Sequence, residues 1–315
     1  MSDKRRTTAA DEFALRFRPI TPEQRTELER KEAAEFRDRV LARRAGIKVK
    51  PPKPLTSLPA VKETGIKLLC IGDSHAHPDY QNHRYEWLGR FAADHQPDVI
   101  WDAGDWWDMP SCSSYDKGQR GFEGRRYWRD IDAGIDAMER FEYQLKKHAP
   151  KSYKPRKVRT LGNHENRINR ITQLDPMLDG IVGTHDLMSA EFGWEEHPFL
   201  HPVEVGGAVL CHYFQSGVMG RPIGGENPAA MLLKKGFSSS LQGHSHLLDY
   251  CDRRSFGNGE IQAMHVGCYF DYDFQWAGEQ VNRLYRRGLL LLNNLKDGSF
   301  DPEWWSMERV RARYG

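Results

Sequence analysis

The stretch Lys67-Leu68-Leu69-Cys70-Ile71-Gly72-Asp73-Ser74-His75 decides how this chain folds. Its apolar run has the length and composition of a short buried strand, and a carboxylate and an imidazole stand directly beyond its end. The same arrangement recurs outward from it. Asp98-Val99-Ile100-Trp101 reads as a second strand and delivers Gly104-Asp105-Trp106-Trp107-Asp108, and Lys157-Val158-Arg159-Thr160-Leu161 reads as a third and delivers Gly162-Asn163-His164-Glu165. Residues 80–95 suit a helix between the first two. Before the third, Trp128, Ile131, Ile135, Met138, Phe141 and Leu145 recur at three- and four-residue spacing, which predicts a long amphipathic helix. Strand, helix, strand, helix, strand predicts an α/β core with its site at the strand ends.

The second half is richer in strands. Pro202 to Phe214 contains a predicted hairpin around Gly206-Gly207, with His212 following Val209-Leu210-Cys211. Residues 238–242 lead into Gly243-His244-Ser245-His246, and further strands are expected at 261–270, 288–294 and 300–306. There is no internal sequence repeat. The layout predicts an α/β fold of two facing β-sheets flanked by helices, with a helical N-terminal extension.

That extension divides in two. Thr21-Pro22-Glu23 opens a predicted helix, with Thr21 as cap and Pro22 at the first helical position. Prolines 51, 52, 54 and 59 mark an extended linker. The expected organisation is a basic helical arm over 1–50, a Pro-rich linker over 51–65 and a catalytic domain over 66–315. The net charge of +2 conceals an asymmetry: residues 1–64 hold 16 Lys/Arg against 10 Asp/Glu, and the rest 30 against 34. The arm carries the positive excess, as a nucleic-acid-binding arm would. Its Glu and Arg are mixed rather than segregated, which favours a solvated helix.

At 315 residues the chain is long enough for a full hydrophobic core. No apolar run approaches the ~18 residues of a membrane span, and the polar, basic N-terminus lacks the apolar stretch of a secretory signal. The five cysteines, at 70, 112, 211, 251 and 268, are odd in number and contain no Cys-x-x-Cys. A reduced, cytoplasmic setting is expected, with no membrane partner.

The five strand-end clusters together offer carboxylates, imidazoles and one amide oxygen, a donor set that suits Mn, Fe or Zn. Each cluster alone is weak, because Gly-Asp and Gly-Asn pairs are usually turns. In this order, after five apolar segments, they match D-x-H, G-D-x-x-D, G-N-H-[ED], a lone H and G-H-x-H. On those motifs, spanning 73–246, the chain resembles the calcineurin-like metallophosphoesterases, in style the compact, often phage-encoded members. The resemblance extends over about 66–310 and implies the four-layer sandwich of that family.

It further implies two divalent ions, Mn first, with Fe and Zn also compatible. Asp73, His75 and His246 would hold one ion, Asn163, His212 and His244 the other, and Asp105 would bridge them. His164 would face the substrate phosphate and stabilise developing charge or protonate the leaving oxygen. Glu165 would orient or charge that imidazole and Asp108 would orient the site, although either could equally serve a local turn. His77 follows His75 closely but reads as a solvated loop residue. His185, His197, His201 and His265 read as structural or exposed.

The reaction implied is phosphoester hydrolysis by metal-activated hydroxide. Family does not determine substrate. Residues 111–129 interleave Lys117, Arg120, Arg125, Arg126 and Arg129 with Tyr115, Phe122, Tyr127 and Trp128, a mixture that suits phosphate contact and base stacking. Arg167 and Arg170 follow His164 closely. These features favour a DNA nuclease, with Arg120, Arg125, Arg126, Arg167 and Arg170 as substrate contacts. The bland alternative places Trp128 in the helix core and the arginines on its solvated face. A nucleotide or small-molecule phosphoesterase is the second functional reading and a non-catalytic scaffold the third. The intact ligand set argues against the scaffold. No capping domain of the large DNA-repair nucleases is recognisable before the end at Gly315.

Overall fold

The computed structural model describes residues 65–254 and 259–315. The arm and all of the linker except Gly65 lie outside the described residues. The first sheet has six strands in the order β13-β12-β1-β2-β3-β4. They are β1 Ile66–Ile71, β2 Val99–Asp102, β3 Arg156–Thr160, β4 Glu195–His197, β12 Gly288–Lys296 and β13 Ser299–Ser306. Strands β1 to β4 run parallel, and β12 and β13 add an antiparallel edge. The second sheet, in the order β10-β11-β9-β6-β5, comprises β5 Val203–Val205, β6 Ala208–Cys211, β9 Ser240–Gln242, β10 Leu248–Arg254 and β11 Glu260–Val266. Its centre is parallel, β6 beside β9 beside β11. A two-stranded ribbon, β7 Gln215–Ser216 with β8 Arg221–Pro222, completes the strands.

Helices α1 His83–His95, α2 Tyr127–His148, α3 Asn166–Leu174, α4 Pro228–Gly236, α5 Gly278–Leu284 and α6 Met307–Tyr314 cover the sheets. The alternation of side chains along β1 explains the layering. Leu69 and Ile71 join a cluster with Tyr85, Leu88 and Phe91 of α1 and Met138 and Phe141 of α2. Leu68 and Cys70, on the opposite face, join Leu210 of β6, Leu241 of β9 and Val266 of β11. Strand β12 divides the same way, Leu289 and Leu291 to the helices, Leu290 and Leu292 between the sheets. A strand buried on both faces reads as a continuous apolar run, which is why 67–71 was legible as one. Ala229, Leu232 and Leu233 of α4 pack with Ala263 on the outer side of the second sheet. The result is an α/β sandwich of sheets flanked by helices.

Several sequence expectations shift. The first helix begins at His83, not at 80. β11 ends at Val266, before Gly267 turns the chain with φ of 73°. The buried stripe of α2 is Ile131, Gly134, Ala137, Met138, Phe141 and Leu145, whereas Trp128 is 62% exposed and takes no part in the helix core. β4 carries too few residues to have been read. All five cysteines are free thiols. Among the described residues no helix is long and apolar enough to cross a membrane.

Candidate metal centre

Five of the parallel strands end at one place. β1 delivers Asp73 and His75, β2 delivers Asp105, β3 delivers Asn163 and His164, β6 delivers His212, and β9 delivers His244 and His246. Two motif glycines stand where the chain passes close to a carboxylate. A Cβ on Gly162 would lie 2.0 Å from Asp105 Oδ1, and one on Gly243 would lie 2.4 Å from Asp73 Oδ1. Four of the side chains sit on backbone of positive φ: His75 at 45°, Asp105 at 54°, His244 at 65° and His246 at 58°. Non-glycine residues adopt that region at a cost, and such strain concentrates at functional sites.

The side chains converge in overlapping sets. Asp73, His75 and His246 offer ligand atoms within 4.8 Å of one another, and so do Asp105, His212 and His244. His246 Nε2 lies 3.1 Å from Asp73 Oδ2 and 3.2 Å from His75 Nε2. His212 Nε2 lies 3.4 Å from Asp105 Oδ2 and 2.9 Å from Asn163 Oδ1. A third set, His75, Asp105 and His164, joins the other two. Buried Asp and His groups therefore stand within metal-binding distance of one another. His244 Nδ1 is buried without a hydrogen-bond partner, and buried Asp73 Oδ2 meets only His246 Nε2. Unsatisfied buried polar atoms are costly, and a cation supplies what they lack.

Supporting groups fix the rings. His212 Nδ1 lies 2.8 Å from the Ala103 carbonyl, to which it donates, leaving Nε2 free to face the centre. Asp108 Oδ1 lies 2.9 Å from His75 Nδ1 and 3.3 Å from His164 Nδ1, in contact with two imidazoles. Glu165 follows the local-turn alternative in part, through Gly162, and not the orienting of His164. Its carboxylate accepts from the backbone N–H groups of Asp105 (3.0 Å), Trp107 (2.9 Å) and Gly162 (2.8 Å). It ties the β2 loop to the β3 loop.

Charge balance follows from burial. Burial pushes the Asp73 carboxyl up, but the imidazoles of His246, His212 and His75 outweigh this and leave it lowered. Asp105 is raised well above the carboxylate range, chiefly by burial and further by Asp73 and Glu165. Burial depresses His75 and His244 to about 3 each, with repulsion from neighbouring imidazoles adding to it. Neutral imidazole is the form that binds a metal, so both residues are held in the competent state.

His164 Nδ1 lies 2.6 Å from the Asp108 carbonyl, and Arg167 Nη2 lies 3.0 Å from Nε2. A guanidinium only donates, so Nε2 accepts and the proton sits on Nδ1. Of the expected substrate arginines, Arg167 alone touches this group. Arg125 is paired with Asp116 at 2.6 Å and donates to the Pro110 carbonyl. Arg120, Arg126 and Arg170 are exposed and none contacts a ligand side chain. His77 is not solvated: its side chain is 14% exposed and its Nε2 lies 3.7 Å from Asp108 Oδ2.

Sequence reasoning passed over an aromatic wall. Phe270 and Phe274 pack against both His75 and His246, Tyr285 packs on His246, and the Tyr272 hydroxyl donates to the His75 carbonyl at 2.8 Å. Buried Arg84 donates to the Ser74 and His75 carbonyls at 2.8 and 3.1 Å. The alternation Phe270-Asp271-Tyr272-Asp273-Phe274 was the available signal.

No protein-family model matches the sequence, and no curated protein is similar to it. Among solved structures, one crystal structure aligns over 77% of this chain and all of its own length, at 10% identity and a TM-score of 0.32. A likeness that slight carries no argument about fold or activity.

Proposed function

We propose that the centre holds two divalent ions and hydrolyses phosphodiesters, with DNA as the substrate. The observation that carries this reading is the convergence of buried Asp and His ligand atoms where five strand ends meet, with His244 Nδ1 left there without a partner. In the arrangement suggested by the motifs, Asp73, His75 and His246 hold one ion and Asn163, His212 and His244 the other, with Asp105 shared. The layered sheets and flanking helices are compatible with the four-layer metallophosphoesterase sandwich. Mn is the first choice, and Fe and Zn suit the same donors. Bound there, the ions supply Lewis acidity and lower the pKa of water to the neutral range.

The chain's own groups supply the rest. Asp108 keeps the rings of His75 and His164 in place, and Glu165 holds the Asp105 loop against the Asn163 loop. Arg167, poised on His164 Nε2, turns to an equatorial phosphate oxygen when substrate enters. Released from Arg167, Nε2 takes a proton from solvent, and the imidazolium so formed gives it to the departing oxygen and returns to the neutral ring.

The test is a panel with Mn: labelled single- and double-stranded DNA, bis-p-nitrophenyl phosphate and p-nitrophenyl phosphate. Cleavage of DNA and of the diester is expected. Hydrolysis of the monoester alone would replace the nuclease with a small-molecule phosphatase, and no hydrolysis at all would leave the scaffold.

A further inference from the structure

A groove of about 420 Å³ runs beside the centre, between the β1–α1 loop and the first half of α2. His77 connects the two, lining the groove while facing Asp108. Three features of its lining are unusual together. Trp128, 62% exposed, lines it from the first turn of α2. A large exposed indole on a surface helix calls for a reason. Tyr80, 37% exposed, lines it from the opposite loop and is already stacked on Tyr272 at 3.9 Å and 2°. Tyr272 in turn is bonded to the His75 carbonyl. One flat aromatic face is thus fixed relative to the metal ligands.

The third feature is Asn82, which lines the groove and is 7% exposed. Its Nδ2 donates to the Ala133 carbonyl at 2.8 Å and to Asp136 Oδ2 at 2.9 Å. Those two acceptors fix the amide orientation, because a flip would set oxygen against oxygen. Oδ1 is then the atom left buried with no partner. The exposed carboxylate of Asp132 adds a second acceptor to the same lining. Asn82 Oδ1 is closed to solvent, so the Asp132 carboxylate is the acceptor within reach, and beside aromatic faces it complements a flat ring that carries an amino group. Arg129 also lines the groove, with its guanidinium paired to Asp79 at 3.2 Å.

We propose that this groove is a nucleobase subsite, in which Trp128 and Tyr80 stack an amino-bearing base and the exposed Asp132 carboxylate accepts from its amine. The inference rests on the phosphodiesterase reading and deepens it: a base seated here belongs to the nucleotide flanking the scissile phosphate. Adenine and cytosine carry the required amine and thymine does not. An unpaired base is needed, since a base within a duplex exposes neither ring face. The chemistry fits a free nucleotide and a single strand equally.

The experiment is calorimetric titration of the full chain in chelator, where no turnover consumes the probe. The probes are adenosine and thymidine 5′-monophosphates and the 12-mers (dA)12 and (dT)12. The adenine probes are expected to bind more tightly than their thymine counterparts. Trp128→Ala should weaken both adenine probes about tenfold, the scale of one stacked base. Asp132→Asn should narrow the adenine-over-thymine ratio. Tyr143→Ala, exposed elsewhere on α2, should change neither. A much tighter (dA)12 than adenosine monophosphate identifies a strand as the occupant, and equal affinity identifies a free nucleotide. Equal affinities for adenine and thymine in the unaltered protein, or an unchanged adenine affinity in Trp128→Ala, would overturn the subsite. Because binding is read without hydrolysis, failure of the Mn panel and failure of the groove are separate results.

Discussion

The two sheets contribute unlike halves to the centre. The first supplies Asp73, His75, Asp105 and Asn163, and the second supplies His212, His244 and His246. The first half is braced by the fold itself. Glu165 gathers three N–H groups from its loops, Arg84 takes the Ser74 and His75 carbonyls, and Tyr272 takes the latter as well. In the second half the backbone is tied as well, the His246 carbonyl accepting from the Arg286 N–H and the His244 N–H donating to Asp73 Oδ1, both at 2.9 Å, but only His212 has its ring held by a backbone acceptor. His244 keeps a buried nitrogen without a partner, and the His246 ring nitrogen meets only Asp73 and His75 across the centre. Hydrogen bonds fix the loops of both halves, whereas the rings of His244 and His246 depend on what binds between them.

The largest effects should come from residues on the seam. Asp105 lies near His212 from one side and beside His164 from the other. Asp105→Ala is expected to abolish hydrolysis and to lower metal content measured by plasma emission spectroscopy. Full metal occupancy in that variant would break the division into halves. His164→Ala is expected to keep both ions and to lower kcat by about 10²- to 10⁴-fold, the range of a lost general acid. Loss of an ion instead would make His164 a ligand, a role that its distance to His75 and Asp105 permits.

A smaller effect, on stability, probes the braced half alone. Glu165→Ala strips three buried N–H groups of their acceptor. Each carries a desolvation penalty, and the sum is expected to cost about 3–5 kcal/mol in urea unfolding. A loss below about 1 kcal/mol would mean that water replaces the carboxylate and that the bracing is nominal.

The ligand constellation was legible because each ligand lies just beyond an apolar run, and order along the chain mirrors convergence at parallel strand ends. The supports were legible only where they sat inside a motif, as Asp108 did. Glu165 was found but its tie to the β2 loop was not, because spacing places it beside His164 and says nothing of that loop. Arg159 was beyond reach. Sequence shows a basic residue in a strand, whereas the fold buries it against Asp102 and among Trp106, Trp107 and Trp194 at 4.7–5.0 Å. Trp128 misled in the other direction, since helical spacing placed it on the core stripe while the groove claimed it. Long-range pairing is the common cause, because periodicity reports which face is apolar and not what lies opposite.

The smallest effect tests whether the histidine half is also the acid-sensitive half. His265 of β11 is fully buried, its Nδ1 2.8 Å from the Ser245 hydroxyl between His244 and His246. Burial depresses its pKa to about 4. The unfolded chain binds a proton at this position near pH 6.5, and the folded chain does not until about pH 4. Below about pH 6.5 the unfolded state therefore holds more protons, and stability falls as pH falls. The loss stops growing once the pH drops below the folded value. His265→Gln lacks this linkage. Measured in chelator by urea unfolding, the stability advantage of the unaltered protein over the variant should shrink by about 2 kcal/mol between pH 7 and pH 5. An advantage that stays constant would mean that His265 titrates alike in both states. The second sheet would then carry no acid sensitivity through this residue.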